Sequence, residues 1–172
     1  MMFTKFGEMN SYKEINELAE NLFNEGDIKS LKEMAKENGI PEDMTEMYLQ
    51  GEIPQLCEAM DAALGKIDVE VRELKPQEIM LDWVEYLRGQ CMENEMLAFQ
   101  VRKKGKSLAG CIGTLLQWSY TNKVSVHKDV MKATGIKGNY KLGMCPGMAT
   151  AKKLITEYYM GKAGGIDEKE SH

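Results

Sequence analysis

The residues of this chain best suited to binding an anion form a short basic turn, Lys103-Lys104-Gly105-Lys106-Ser107. Gly-Lys-Ser before a helix also ends the phosphate-binding P-loop, but that loop needs a preceding strand and a further glycine where this chain has Gln100. A helix that begins at Ser107 still presents unpaired amides and the positive end of its dipole. We therefore expect an anion contact at this helix start, made by four cations: Arg102, Lys103, Lys104 and Lys106.

Further lysines extend the basic character through the C-terminal third of the chain. Tyrosines are interleaved with them, and lysine charges beside tyrosine rings can hold single-stranded nucleic acid without sequence specificity. The alternative is that this basic face packs against acidic residues of the same protein. Both interpretations stay open for the five lysines concerned: Lys128, Lys132, Lys137, Lys152 and Lys153.

Acidic residues form the second candidate surface. Residues 31–51 have the rhythm of a helix-turn-helix, yet the second helix carries three carboxylates and neither Lys nor Arg. DNA phosphates would repel such a helix. We therefore expect either a purely structural packing of helices or an acidic surface that docks on a cationic protein. The residues of that surface are Glu33, Glu37, Glu42, Asp43 and Glu46.

Catalytic and metal-binding motifs are missing from the sequence. No carboxylate pair is surrounded by apolar neighbours that would tune its acidity. The two histidines and four widely spaced cysteines match no zinc ligand set and no dense disulfide framework. No apolar run approaches the length that spans a bilayer. We therefore expect a cytoplasmic, non-enzymatic protein with reduced cysteines, no metal, no cofactor and no membrane contact.

The charge of the chain is divided between its two ends. Residues 1–100 hold 22 Asp and Glu against 9 Lys and Arg, whereas residues 101–162 hold 2 acidic and 12 basic residues. Charge of one sign over one region selects partners of the opposite sign. This division favours a binding function, through one region, through the other, or between neighbouring copies in a homo-oligomer.

The elements that must position these residues are predicted to be helices. Ser11 opens a capping box, Gly26-Asp27 ends one helix and caps the next, and Asn38-Gly39 ends the second. A third helix is expected from Pro41 to Gly51 and a fourth from Pro54 to Gly65. We therefore interpret residues 1–65 as an acidic helical N-terminal region.

Residues 66–75 are predicted to separate two subregions. Ile67, Val69 and Val71 alternate with charged residues, a pattern typical of a short strand or an extended linker. Residues 76–161 then form a second helical region, basic from residue 101, and residues 162–172 a disordered tail. The expected class is all-α in two helical subregions, with at most one short strand or linker near residues 66–74.

The C-terminal region shows helix signals of its own. Ser107 is expected to cap an apolar helix that reaches Ser119, and Ser125 a shorter one. Residues 135–147 form a glycine-rich loop, and the last helix covers residues 148–160.

Two short segments of this region resemble a family found on mobile elements. Lys106-Ser107-Leu108-Ala109-Gly110-Cys111-Ile112 opens a helix, and the pair Tyr158-Tyr159 lies near the end of a later one. The arrangement is similar to the PcfK-like proteins of conjugative plasmids and integrative elements, over about residues 105–160. Some members of that family are anti-CRISPR proteins that inhibit the effector nuclease of type II systems.

The resemblance implies a function that agrees with the charge pattern. A CRISPR effector exposes a cationic groove for its guide–target duplex. An acidic body could dock there as a DNA mimic, while basic residues contact the guide RNA. The leading expectation is therefore a non-catalytic inhibitor of a CRISPR effector nuclease or its guide-RNA complex. The alternative is a nucleic-acid-binding accessory factor of conjugation or plasmid maintenance, acting through the basic C-terminal third.

Overall fold

A computed structural model describes residues 2–138 and 141–162 of the chain. These residues form nine helices and one small sheet of two strands, which confirms the expected all-α class. The helices before the sheet are α1 (Tyr12–Asn24), α2 (Ile28–Glu37), α3 (Glu42–Leu49), α4 (Ala59–Leu74), α5 (Ile79–Glu93), α6 (Glu95–Arg102) and α7 (Leu108–Thr121). The chain then continues through β1 (Lys123–Ser125), α8 (Lys128–Thr134), β2 (Lys141–Gly143) and α9 (Met148–Met160).

The first two helices begin where the capping residues predict. The Ser11 hydroxyl accepts a hydrogen bond from the amide of Glu14, and the Asp27 carboxylate accepts one from the amide of Ser30. Each bond satisfies one of the amides that a helix start leaves without a partner. One face of α1, formed by Ile15, Ala19 and Leu22, is buried.

Helix α4 is shared between two hydrophobic clusters. Ala62 belongs to the cluster of α1 and α2, whereas Ala59, Ala63 and Ile67 belong to the cluster of α5, α6, α7 and α9. The expected strand or linker at residues 66–75 is therefore wrong, because residues 66–74 are the C-terminal half of this helix. The buried face of this helix includes two charged residues, Lys66 and Glu70. Because these positions are not apolar, the remaining apolar residues of the segment alternate with charged ones and resemble a strand.

Gly65 was expected to end a helix, but it lies inside α4. A Cβ atom at this position would lie 2.5 Å from the carbonyl oxygen of Asn38 and 3.0 Å from that of Gly39. Glycine therefore permits close approach between α4 and the turn that follows α2. The helix continues past Gly65 because the packing, rather than a turn, requires the missing side chain.

The described residues between α7 and α9, which are 122–138 and 141–147, are called the arm below. Its strands β1 and β2 pair antiparallel, with Val124 opposite Leu142. Ser125 was expected to cap a helix, but it lies in β1, and the His127 side chain accepts the capping hydrogen bond from Asp129 of α8. Met131 and Pro146 are buried, while most other described residues of the arm are exposed.

Two further expectations concern the membrane and the tail. No helix among the described residues combines the length and the apolar character that crossing a membrane requires. The expected disordered tail, residues 162–172, lies outside the described residues except for Lys162.

Candidate binding surfaces

Arg102 was expected to contact an anion, but it lies in the interior of the protein. Its side chain is 1% exposed. The guanidinium donates to the carbonyl oxygens of Met9 at 3.0 Å and Ala62 at 3.2 Å, and to the side chain of Asn38. Arg102 of α6 therefore holds the N-terminal segment against α4. The expected anion contact at Arg102 is wrong, because its donors bind groups of the protein itself.

Lys66 and Glu70 form a second buried charged group beside Arg102. The Lys66 ammonium pairs with Glu8 at 2.7 Å and donates to the carbonyl oxygens of Lys103 at 2.9 Å and Lys106 at 2.6 Å. Burial raises the pKa of Glu70 to about 7, although the charge of Lys66 opposes the change. Sequence reasoning missed this group because it lay in the expected linker. The signal was the Lys–Glu spacing of four residues, which joins side chains on a helix.

The N-terminus of α7, the expected anion site, is already occupied by groups of the protein itself. The Glu70 carboxylate accepts the amide of Leu108 at 3.1 Å, and the Tyr158 hydroxyl accepts the amide of Ser107 at 3.0 Å. The Ser107 hydroxyl accepts the amide of Gly110. An internal carboxylate therefore takes the place that an external anion would have in a phosphate site.

The residues that carry the family resemblance meet in one cluster, although 45 residues, 113–157, separate the two segments. The Lys106 ammonium donates to the carbonyl oxygen of Tyr158 at 2.8 Å and lies 5.1 Å from the centre of its ring. Gly110 lies so close to Tyr158 that a Cβ atom there would be 3.0 Å from the Cζ atom of the ring. These contacts hold α7 against α9 through Lys106, Ser107, Gly110 and Tyr158. The expected anion contact at Lys106 is not seen, because its ammonium binds the carbonyl oxygen of Tyr158.

Part of the acidic docking set makes ion pairs and hydrogen bonds to other residues of the protein. Glu33 pairs with Lys5, and the Glu37 carboxylate accepts the amides of Lys5 and Phe6, so both carboxylates hold the N-terminal segment against α2. The three members on α3 are placed differently: Glu46 pairs with Lys32 at 2.5 Å, while Glu42 and Asp43 are exposed. The surface that remains for docking is therefore the start of α3.

The expected basic contacts are divided between the arm and the body. Lys128, Lys132 and Lys137 are exposed on the arm. Lys152 and Lys153 are exposed on α9, where Lys152 lies over the ring of Tyr86 at 5.4 Å and Lys153 approaches Glu157 at 3.9 Å. In the basic turn, Lys104 is exposed, and Lys103 lies over the ring of Phe99 at 5.4 Å.

The arm and its base also expose apolar side chains. Tyr120, at the end of α7, is 78% exposed with Lys123 over its ring at 5.8 Å, and Ile136 is 66% exposed. Other exposed apolar residues of this part are Val124, Val130, Leu142, Met144 and Met148. Exposed apolar groups collected in one region mark a surface for interaction. The arm therefore exposes both cationic and apolar side chains, which the linear charge pattern did not reveal.

The described residues contain no group of histidine, cysteine, aspartate and glutamate side chains that could hold a metal ion. Burial raises the pKa of the thiols of Cys57, Cys91 and Cys111 to about 12 each, which keeps these thiols protonated and unreactive. Cys145 of the arm is exposed.

Comparison with known proteins returned no match of any kind. No protein-family model matches the chain, no curated protein matches it, and no solved structure matches its fold.

Proposed function

We propose that this protein is a non-catalytic inhibitor carried by a mobile element, and that it occupies a CRISPR effector nuclease bound to its guide RNA. The observation that carries the proposal is the arm, because its exposed lysines and apolar side chains suit a target made of both RNA and protein. The class of target comes from the resemblance over residues 105–160.

The acidic part of the surface supports the same proposal. Glu42 and Asp43 are exposed at the start of α3, in a region of strong negative charge. They would face the cationic protein groove of the effector, while the lysines of the arm face the phosphates of the guide RNA. Inhibition by occupancy needs affinity and shape alone, so no catalytic group is required.

The proposal is tested by DNA cleavage with a type II effector nuclease loaded with guide RNA. Charge reversal on the arm, Lys128→Glu with Lys132→Glu and Lys137→Glu, is expected to raise the concentration for half inhibition at least tenfold. Glu42→Lys with Asp43→Lys is expected to raise it as well, whereas Lys29→Glu, an exposed lysine on α2, is the control. Undiminished cleavage by every type II effector tested with the unaltered protein would overturn the proposal.

A second candidate function is a nucleic-acid-binding accessory factor for conjugation or plasmid maintenance. The exposed ring of Tyr120 beside Lys123 favours it, because an aromatic face next to a cation is a platform on which a base can stack. Fluorescence anisotropy with short single-stranded and duplex oligonucleotides, at two salt concentrations, tests this function. Binding that weakens with salt and with Tyr120→Ala supports it, and no binding at low salt rejects it.

A further inference from the structure

A cleft of about 580 Å³ lies between α1 and the segment that follows α3. This volume is within the range of small ligand sites. It is called the α1 cleft below, and its lining includes Tyr12, Lys13, Glu17, Glu20, Phe23, Tyr48 and Pro54. Lys13 is exposed, and its ammonium lies 6.0 Å from the centre of the Tyr12 ring at one side of the lining. None of these residues belongs to the surfaces described so far.

The α1 cleft is fixed in shape by hydrogen bonds at its base. The Asn16 side chain donates to the carbonyl oxygen of Cys57 at 2.8 Å and accepts the amide of Cys57 at 3.0 Å. These two bonds attach the segment after α3 to the middle of α1. A preformed cleft loses little conformational entropy when a ligand enters.

Aromatic rings and carboxylates meet in this cleft. The rings of Phe23 and Tyr48 pack edge to face with their centres 5.9 Å apart, and Phe23 remains 43% exposed. Glu17 and Glu20 are exposed and lie one helical turn apart on α1. Burial, and then the charge of Glu20, raise the pKa of Tyr48. Within the described residues no ion pair is found for either glutamate.

This combination fits one kind of ligand, a guanidinium group. Its flat face stacks on aromatic rings, and its edge donates paired hydrogen bonds to carboxylates. A lysine ammonium makes the charge contact but lacks the flat face and the paired donors. The negative charge of residues 1–100 would also attract such a ligand to this side of the molecule.

We propose that the α1 cleft binds an arginine side chain of the partner protein. The inference rests on the proposed function, because it names the partner chemistry that one surface of the inhibitor recognises. Glu17 and Glu20 would pair with the guanidinium, while Phe23 and Tyr48 supply the faces on which it stacks. The rest of the cleft accommodates the residues that flank the arginine.

The test is a titration of the whole protein, followed by NMR, with blocked five-residue peptides that differ at the central position. The arginine peptide is expected to bind saturably and to shift the amides of the cleft. The lysine peptide is expected to bind at least threefold more weakly. The citrulline peptide, which keeps the shape of arginine without its charge, is expected not to bind.

Variants locate the binding. Glu17→Gln with Glu20→Gln is expected to weaken arginine binding at least tenfold. Asp82→Asn with Glu93→Gln removes the same charge from exposed positions of α5 and is expected to have no effect. Phe23→Ala is expected to weaken it, and Tyr48→Phe, which keeps the ring, is expected to retain it. Thermal unfolding of each variant verifies that the fold is intact.

Two results would overturn the inference. Equal binding of the arginine and lysine peptides would mean unspecific charge attraction. Self-association in sedimentation, lost both with the glutamine pair in the cleft and with the charge-reversed arm, would assign the cleft to the lysine-rich arm of a second copy. Because the titration needs no nuclease, its failure rejects the arginine site alone, and a failure of the cleavage assay rejects the proposed target alone.

Discussion

The helical body and the arm use their charged residues in opposite ways. In the body, Arg102, Lys66 and Glu70 are buried and make hydrogen bonds to groups of the protein itself. In the arm, Lys128 and Lys132 are exposed beside exposed apolar side chains. The basic residues after position 100 therefore do not form one surface, since Arg102 supports the fold and the lysines of the arm face solvent.

The largest expected difference concerns Arg102. Arg102→Met removes the guanidinium that donates to the carbonyl oxygens of Met9 and Ala62. It is expected to lower the free energy of unfolding by about 1–3 kcal/mol for each buried acceptor that loses its donor. Lys132→Met on the arm is expected to change it by less than about 0.5 kcal/mol. Denaturation in guanidinium chloride measures both, with Lys103→Met as the neighbouring control. Equal effects at Arg102 and Lys132 would remove the distinction between body and arm.

The next effect is a pH dependence that Glu70 gives to the body. Burial raises the pKa of Glu70 from its usual 4.5 to about 7, so the ionised form opposes folding above pH 7. This cost disappears as the pH falls from 7 toward 4.5, and stability gains about 3 kcal/mol from this group. Glu70→Gln keeps an acceptor for the amide of Leu108 and is expected to be the more stable form at pH 8.

The measurement for Glu70 is the difference in unfolding free energy between the variant and the unaltered protein at pH 8, 7, 6 and 5. The other carboxylates, Glu8 among them, are common to both proteins, so their titration cancels in the difference. The advantage of Glu70→Gln should shrink toward pH 5. A difference that does not vary with pH would show that Glu70 titrates as an ordinary carboxylate.

A smaller effect is expected where α7 meets α9. Gly110→Ala would place a methyl group against the ring of Tyr158 and is expected to cost about 1–3 kcal/mol. Tyr158→Phe removes the hydroxyl group that accepts the amide of Ser107 and is expected to cost about 1 kcal/mol. Because the hydroxyl is part of the clash, the double variant should lose less than the sum. Additive losses in this double-mutant cycle would disprove the contact.

Three helix starts were predicted correctly from the sequence, whereas those expected at Pro54 and Ser125 were wrong. Ser11, Asp27 and Ser107 cap helices as expected, because a cap depends on residues within three positions of it. The helix at residues 66–74 was not predicted. Its buried stripe contains Lys66 and Glu70, and only the tertiary fold supplies the partners that make burial of these charges acceptable.

The candidate sites could be predicted from the sequence only where they do not depend on tertiary contacts. Lys128, Lys132 and Lys137 are exposed, as a contact surface requires, and their contact with a partner stays a prediction. Arg102 is two residues from exposed Lys104 in a similar sequence context, and only the tertiary contacts with Met9, Asn38 and Ala62 decide that it is buried. The α1 cleft had no local signal, since Tyr48 and Pro54 come from a different part of the chain.

The last prediction compares the reactivity of the cysteine thiols in the body with that in the arm, and it is expected to have the smallest effect on stability. Cys57, Cys91 and Cys111 lie in the body with the pKa of each raised to about 12, whereas Cys145 is exposed on the arm. One thiol should therefore react quickly with an aromatic disulfide reagent, and all four should react after unfolding. Cys145→Ser is expected to abolish the fast phase and leave the melting temperature unchanged.

The rate of that fast phase then reports on the arm in a complex. If the arm contacts the guide RNA or the effector protein, bound target should slow the reaction of Cys145 and leave the three buried thiols as they were. A fast phase of two or more thiols in the protein alone would mean that the body opens readily, and the contrast between buried thiols in the body and an exposed thiol on the arm would no longer hold. The thiol reaction shows whether a bound target covers the arm. The lysine variants show whether the charge of the arm contributes to binding, so the two experiments answer different questions.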